Sequence, residues 1–265
     1  MRLFFVLSVA APLVALGCSP SLPTTRDLGV INLKDTTDGT GPGGKWVFKP
    51  QGVFWVSNNT VIPNSTIVPD SCINQRYVPP DTTTKVLNGT QLDAGSPIQV
   101  STSTGIGTMT PDTIPNVIII YKSAGFISHN PGTDVTYTVP GAAGGFGAGV
   151  IQSKTPKVLQ LGPIDSMPAD SLKLTWNSGT PGTSAVNIAL IYSAAHNSTY
   201  DSEILCSLYD DGEFTIGPRQ VSGWAAAHGH QMVAALRWIS TFKNVENNNL
   251  LVVESEFDTS KTTFP

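Results

Sequence analysis

The chain has 265 residues and a formal net charge of -4, from 15 Lys and Arg against 19 Asp and Glu. Only 13% of its residues are charged, about half the ~25% usual in soluble domains. No basic cluster supplies an electrostatic footprint for a phosphate backbone, so nucleic acid is not an expected partner. With 25 Gly and 20 Pro and few Glu/Lys-rich amphipathic stretches, the composition predicts strands joined by turns rather than a helical bundle. The expected fold class is all-β.

The first segment, "MRLFFVLSVAAPLVALGC", carries one positive charge at Arg2, an apolar run from Leu3 to Leu16, and Gly17 directly before Cys18. That order reads as an export signal rather than a membrane span. Its last five residues, "VALGC", resemble the lipobox of bacterial lipoproteins, and the resemblance implies cleavage after Gly17 and lipidation of Cys18. Ordinary secretion and an uncleaved anchor are the alternatives. The cysteine count fits the resemblance, because three cysteines cannot all pair and an odd thiol in an exported chain needs an explanation. Lipidation of Cys18 leaves Cys72 and Cys206, either bonded to each other in an oxidising compartment or each a small buried apolar residue.

Residues 18–44, rich in Pro, Gly, Thr and Asp, read as a flexible tether after the signal peptide of residues 1–17. Residues 45–154 read as a first β-rich domain. Its short aromatic and β-branched runs, "KWVF", "GVFWV", "NVIIIY" and "DVTYTV", are broken by Pro and Gly, and Asn88-Gly89 is a strong hairpin signal. Residues 155–265 form the second region. "SLKLTW" places Leu172, Leu174 and Trp176 on one face, "AVNIALIY" does the same with Val186, Ile188, Leu190 and Tyr192, and "EILCSLY" with Ile204, Cys206 and Leu208. A helical turn is expected over Pro218 to Trp224, and a strand over His230 to Phe242.

The succession of "SLKLTW", a loop and "VNIALIY" resembles the opening strands of fibronectin type III and related immunoglobulin-like domains, in which a strand ending in Trp packs beneath the opposite sheet. With its Cys-bearing strand and Asp-Gly turn, the region is also similar to bacterial surface lipoproteins of unassigned role. What the resemblance implies is a C-terminal β-sandwich and an extracytoplasmic location, without an activity.

Four groups of residues are candidates for chemistry. Asp210, Asp211 and Glu213 crowd around Gly212, yet lack the oxygen-ligand spacing of a calcium loop, and the expected role is a solvated hairpin turn. His228 and His230 form an H-x-H pair compatible with zinc or copper, but His129 and His196 lie far away in sequence and no third ligand is identifiable. "GAAGGFGAG", Gly141 to Gly149, lacks the Gly-Lys-Ser/Thr ending of a phosphate loop and reads as a flexible loop. Sequons at Asn58, Asn64, Asn88 and Asn197 read as turn chemistry. Of the five tryptophans, Trp224 is the one expected to be exposed.

These readings converge on a non-enzymatic, lipid-anchored protein of the cell envelope, at the outer membrane or cell surface, with two β-sandwich-like domains, no cofactor, and a structural or interaction role toward a protein or glycan. The alternatives are a carbohydrate- or polymer-binding surface module, which predicts clustered exposed aromatics, and a metal-dependent hydrolase, which predicts His and carboxylates converging in a pocket.

Overall fold

The computed structural model describes residues 27–37, 45–56, 70–79, 90–114, 118–179, 184–195 and 199–261. Cys18, His196, Asn88-Gly89 and the asparagines of all four sequons lie outside the described residues. The strands, in chain order, are β1 (Leu28–Thr37), β2 (Trp46–Phe48), β3 (Gln51–Trp55), β4 (Ser71–Arg76), β5 (Ile98–Thr102), β6 (Ile106–Ile114), β7 (Ile118–Ser123), β8 (Ile127–Ser128), β9 (Asp134–Val139) and β10 (Gly149–Lys154). They continue with β11 (Leu172–Thr175), β12 (Ala185–Tyr192), β13 (Ser202–Tyr209), β14 (Glu213–Ile216), β15 (Gln231–Asn244) and β16 (Leu250–Lys261). One α-helix, α1 (Pro218–Ala226), precedes β15. The fold is all-β.

One hydrogen-bonded path runs β10-β9-β5-β6-β7-β3-β1-β16-β15-β12-β13-β4, with β2 joining β1 to β8, while β11 and β14 form a separate ribbon. Two large apolar cores lie along this path, and a small third cluster of Leu28, Val30, Leu250 and Val252 lies on the opposite face of β1 and β16. One gathers Leu172, Leu174, Trp176 and Ile216 of the ribbon region against Val186, Ile188, Leu190, Ile204 and Leu208 of the large sheet, a sandwich-like packing. The other gathers Ile31, Phe48, Phe54, Tyr121, Tyr137 and Phe146. The elements lining them do not part at the expected boundary of 154/155. Cys72 of β4 belongs to the first core, and Leu251 and Val253 of β16 belong to the second.

The tether of residues 18–44 is corrected over part of its length, because Leu28–Thr37 is a strand inside the sheet. It pairs in parallel with β16 from Leu28↔Leu250 to Asp35↔Phe257 and antiparallel with β3. The cause is its apolar run, buried on both faces, with Ile31 and Leu33 on one and Leu28 and Val30 on the other, as a strand inside a covered sheet requires. Thr, Asp and Gly nearby mask this in the composition.

The expected alternation of the C-terminal strands is present. Leu172, Leu174, Val186, Ile188, Leu190, Ile204, Cys206 and Leu208 are all buried. The expected helical turn is α1, opened by Pro218 in its first turn, where a missing N–H costs nothing. Beyond it, Gly229 at φ 82 turns the chain into β15, the expected strand. Its core face carries Val233, Ala235 and Arg237, while Met232, Ala234 and Leu236 on the opposite face are half-buried.

Candidate functional site

The acidic stretch 210–213 divides in the structure. β13 has both edges occupied, by β12 and by β4, so β14 pairs with β11 instead. Asp211-Gly212 is therefore not a hairpin tip but a crossing from the large sheet to the ribbon, with Gly212 at φ 111, a conformation open to glycine. Asp211 and Glu213 are exposed. Glu213 meets Lys173 across the ribbon at 2.6 Å.

Asp210 is the correction. Expected on a solvated tip, it is 1% exposed, because it continues the inward parity of Ile204, Cys206 and Leu208. Its partner is Arg237, on the core face of β15 and fully buried. Arg237 Nε lies 2.8 Å from Asp210 Oδ2, and Nη2 donates to Oδ1 at 2.9 Å, the fork geometry that suits guanidinium to carboxylate. Trp176 Nε1 and the Gly179 amide each donate to Oδ1 at 3.0 Å, and Ser184 Oγ donates to Oδ2 at 2.5 Å. Arg237 in turn donates from Nη1 to the carbonyls of Lys157 and Val158, at 3.1 and 3.0 Å, and from Nη2 to that of Asn177.

Oδ1 of Asp210 thus accepts from three donors, and Oδ2 accepts from Ser184 and lies against the Arg237 charge. At 1% exposure this carboxylate faces its partners rather than solvent. The network joins β13, β15 and the segments on either side of β11 at one buried point, and its chemistry is charge compensation. A Cβ on Gly179 would fall 1.8 Å from Asp210 Oδ2, so that position admits only glycine.

The remaining candidates are scattered. His228 is exposed and His230 half-buried, beside the α1–β15 turn. His129 is buried near the other core, where its Nε2 lies 3.2 Å from Asp35 Oδ1, both side chains without solvent exposure. Burial pushes the Asp35 carboxyl up from its ordinary range, with the hydrogen bond and charge of His129 opposing. Among the described residues no three His, Cys, Asp or Glu are placed to hold a metal ion.

Trp224 is a second correction. It is fully buried, because α1 lays Trp224 and Val221 on the core; its ring meets that of Tyr192 edge-on at 6.4 Å and its Nε1 donates to the Asp165 carbonyl at 3.0 Å. Trp176 and Trp238 are also buried, and Trp46 packs on Phe257 with centroids 5.2 Å apart. The glycine-rich stretch 141–149, expected to be flexible, is a bonded turn. Gly141 donates to the Ala94 carbonyl at 3.0 Å and Phe146 to that of Asp93 at 2.8 Å, seating the Phe146 ring 4.8 Å from Phe54 in the core.

Cys72 and Cys206 are directly opposite in the β4–β13 register and are joined in a disulfide across 134 residues. The bridge fastens β4, which ends the strand path, to β13. On the other side of β4, Gln220 of α1 donates to the Cys72 carbonyl at 2.6 Å and Asn74 donates to the Gln220 carbonyl at 3.0 Å, so the helix occupies part of the free edge.

The face of β16 that carries Leu250 and Val252 holds a last feature. Glu254 and Glu256 of β16 share that face, and burial pushes both carboxyls up to about 7. For Glu256, Asp258 adds to the effect and Lys34 opposes it. Comparison with protein family models, with curated proteins and with solved structures gives no match for this chain.

Proposed function

We propose that the chain is a lipid-anchored extracytoplasmic protein of the cell envelope with a structural or interaction role. The observation that carries this reading is the Cys72–Cys206 bond. Disulfides persist in oxidising compartments, which agrees with an export signal, and the pairing leaves Cys18 as the odd one of three cysteines, in the context that resembles a lipobox. The engagement of Asp210 by Arg237 and its neighbours supports a structural use for the one cluster of carboxylates that otherwise invited a catalytic reading.

Metabolic labelling with a fatty-acid analogue tests the anchor. The wild-type chain is expected to take up label and the Cys18→Ser variant to take up none. Label retained by the variant, or absent from both, overturns the assignment.

A further inference from the structure

Two turns on one rim hold out apolar side chains. Ile106, where β5 turns into β6, is 84% exposed, and Phe126, where β7 turns into β8, is 56% exposed. Ile106 is the most exposed large apolar side chain among the described residues. Neither turn carries a charge: residues 101–108 read STSTGIGT and residues 123–128 read SAGFIS.

The turns are locked to each other. Thr102 Oγ1 donates to the Ser128 carbonyl at 2.7 Å and accepts from the Gly105 amide at 2.8 Å. The Thr102 amide donates to the Gly105 carbonyl at 2.8 Å, and Ser123 Oγ donates to the Gly125 carbonyl at 2.7 Å. A Cβ on Gly105 would lie 2.8 Å from the Ser128 oxygen, so glycine is what lets the turns touch. Two apolar side chains are therefore displayed on a rim where the carbonyls of Gly105, Gly125 and Ser128 are bonded internally, and an internally bonded carbonyl enters an apolar medium at the least cost.

We propose that this rim dips into the surface of a lipid bilayer, with Ile106 and Phe126 as its inserted residues. The choice of lipid rests on the anchored reading above. A protein partner would be expected to meet a polar rim with groups that fix register, and these turns offer only hydroxyls, which suit headgroups. The reach is compatible. β8 pairs β2 and β2 pairs the Asp35 end of β1, so the rim lies near that end, about 23 Å from Leu28 for the seven residue steps from Leu28 to Asp35. The ten residues from Cys18 to Leu28 span at most about 35 Å, enough to bring an acyl chain and the rim to one plane.

The test is partition of the full Cys18→Ser chain onto phosphatidylcholine vesicles, read by flotation, which removes any acyl contribution. The unacylated chain is expected to float with the vesicles in low and high salt alike. Ile106→Ser with Phe126→Ser is expected to lower the partition coefficient at least about tenfold. Phe242→Ser, which removes an apolar ring 40% exposed elsewhere, is expected to leave it unchanged. No partition of the parent chain, partition retained by the double variant, or an equal loss from Phe242→Ser overturns the proposal. Failure here leaves the acylation result standing, and failure of the acylation experiment leaves this result standing.

Discussion

Asp210 and Arg237 illustrate how two charged residues can be part of a core. Removing water from either charge alone costs several kcal/mol, and the structure offsets this with a forked pair plus donors from Trp176, Gly179 and Ser184. Arg237 without its carboxylate would be a buried cation facing only carbonyls. Asp210→Asn keeps the shape and removes the charge, so it is expected to lower the unfolding free energy by about 3–5 kcal/mol, measured by chemical denaturation. Glu213→Gln is the contrast. Its pair with Lys173 has side chains 66% and 59% exposed, and exposed pairs contribute about 0–1 kcal/mol. Equal losses for the two variants would contradict the burial argument. The pair was visible in the sequence only as two breaks in pattern. Asp210 continues the inward parity of Ile204, Cys206 and Leu208, and Arg237 that of Val233 and Ala235. Each polar residue at an inward position predicts a partner, but neither says which, because pairing across 27 residues is not a local property.

At the scale of elements, strands whose two faces differ were legible and strands covered in other ways were not. β11, β12 and β13 alternate clearly, and their inward residues are those the period-2 pattern names. β1 was lost among Thr, Asp and Gly, and Asp211-Gly212 looked like a hairpin because nothing local reveals that both edges of β13 are taken. β16 has a pH-dependent consequence of its own. With Glu254 and Glu256 raised from 4.5 to about 7, the folded chain holds protons that the unfolded chain releases. Their contribution to stability is therefore fully present below about pH 4.5 and is lost as the pH rises through about 7. Asp35, also raised, acts in the same sense; Asp201, lowered chiefly by the Ala194 amide, acts in the opposite one. Unfolding followed across this interval is expected to show stability falling toward neutral pH. Glu254→Gln with Glu256→Gln is expected to flatten that slope, and an unchanged slope would place the linkage elsewhere.

For the whole molecule, the consequential feature is that the first strand of the described residues lies beside the last. β1 joins β16 on one side and β3 on the other, and the disulfide joins β4 to β13 at the far end of the same path. Chain ends paired in parallel leave no periodic trace, which is why a tether was the natural expectation for residues 18–44. The two readings differ in what truncation should do. A chain beginning at Lys45 would lose nothing of the fold if residues 18–44 only spaced it from a membrane. In the structure it loses Leu28, Val30, Ile31 and Leu33, all buried, and their burial contributes about 6–12 kcal/mol. That is the scale of a whole domain's stability, about 5–15 kcal/mol, and the backbone edges of β3 and β16 would be uncovered as well. A chain beginning at Asp27 retains every one of these contacts. Thermal melting followed by circular dichroism is expected to give a cooperative transition for the chain from Asp27 and none for the chain from Lys45. A cooperative transition at the same temperature for both would mean that β1 is dispensable and that the sheet closes without it.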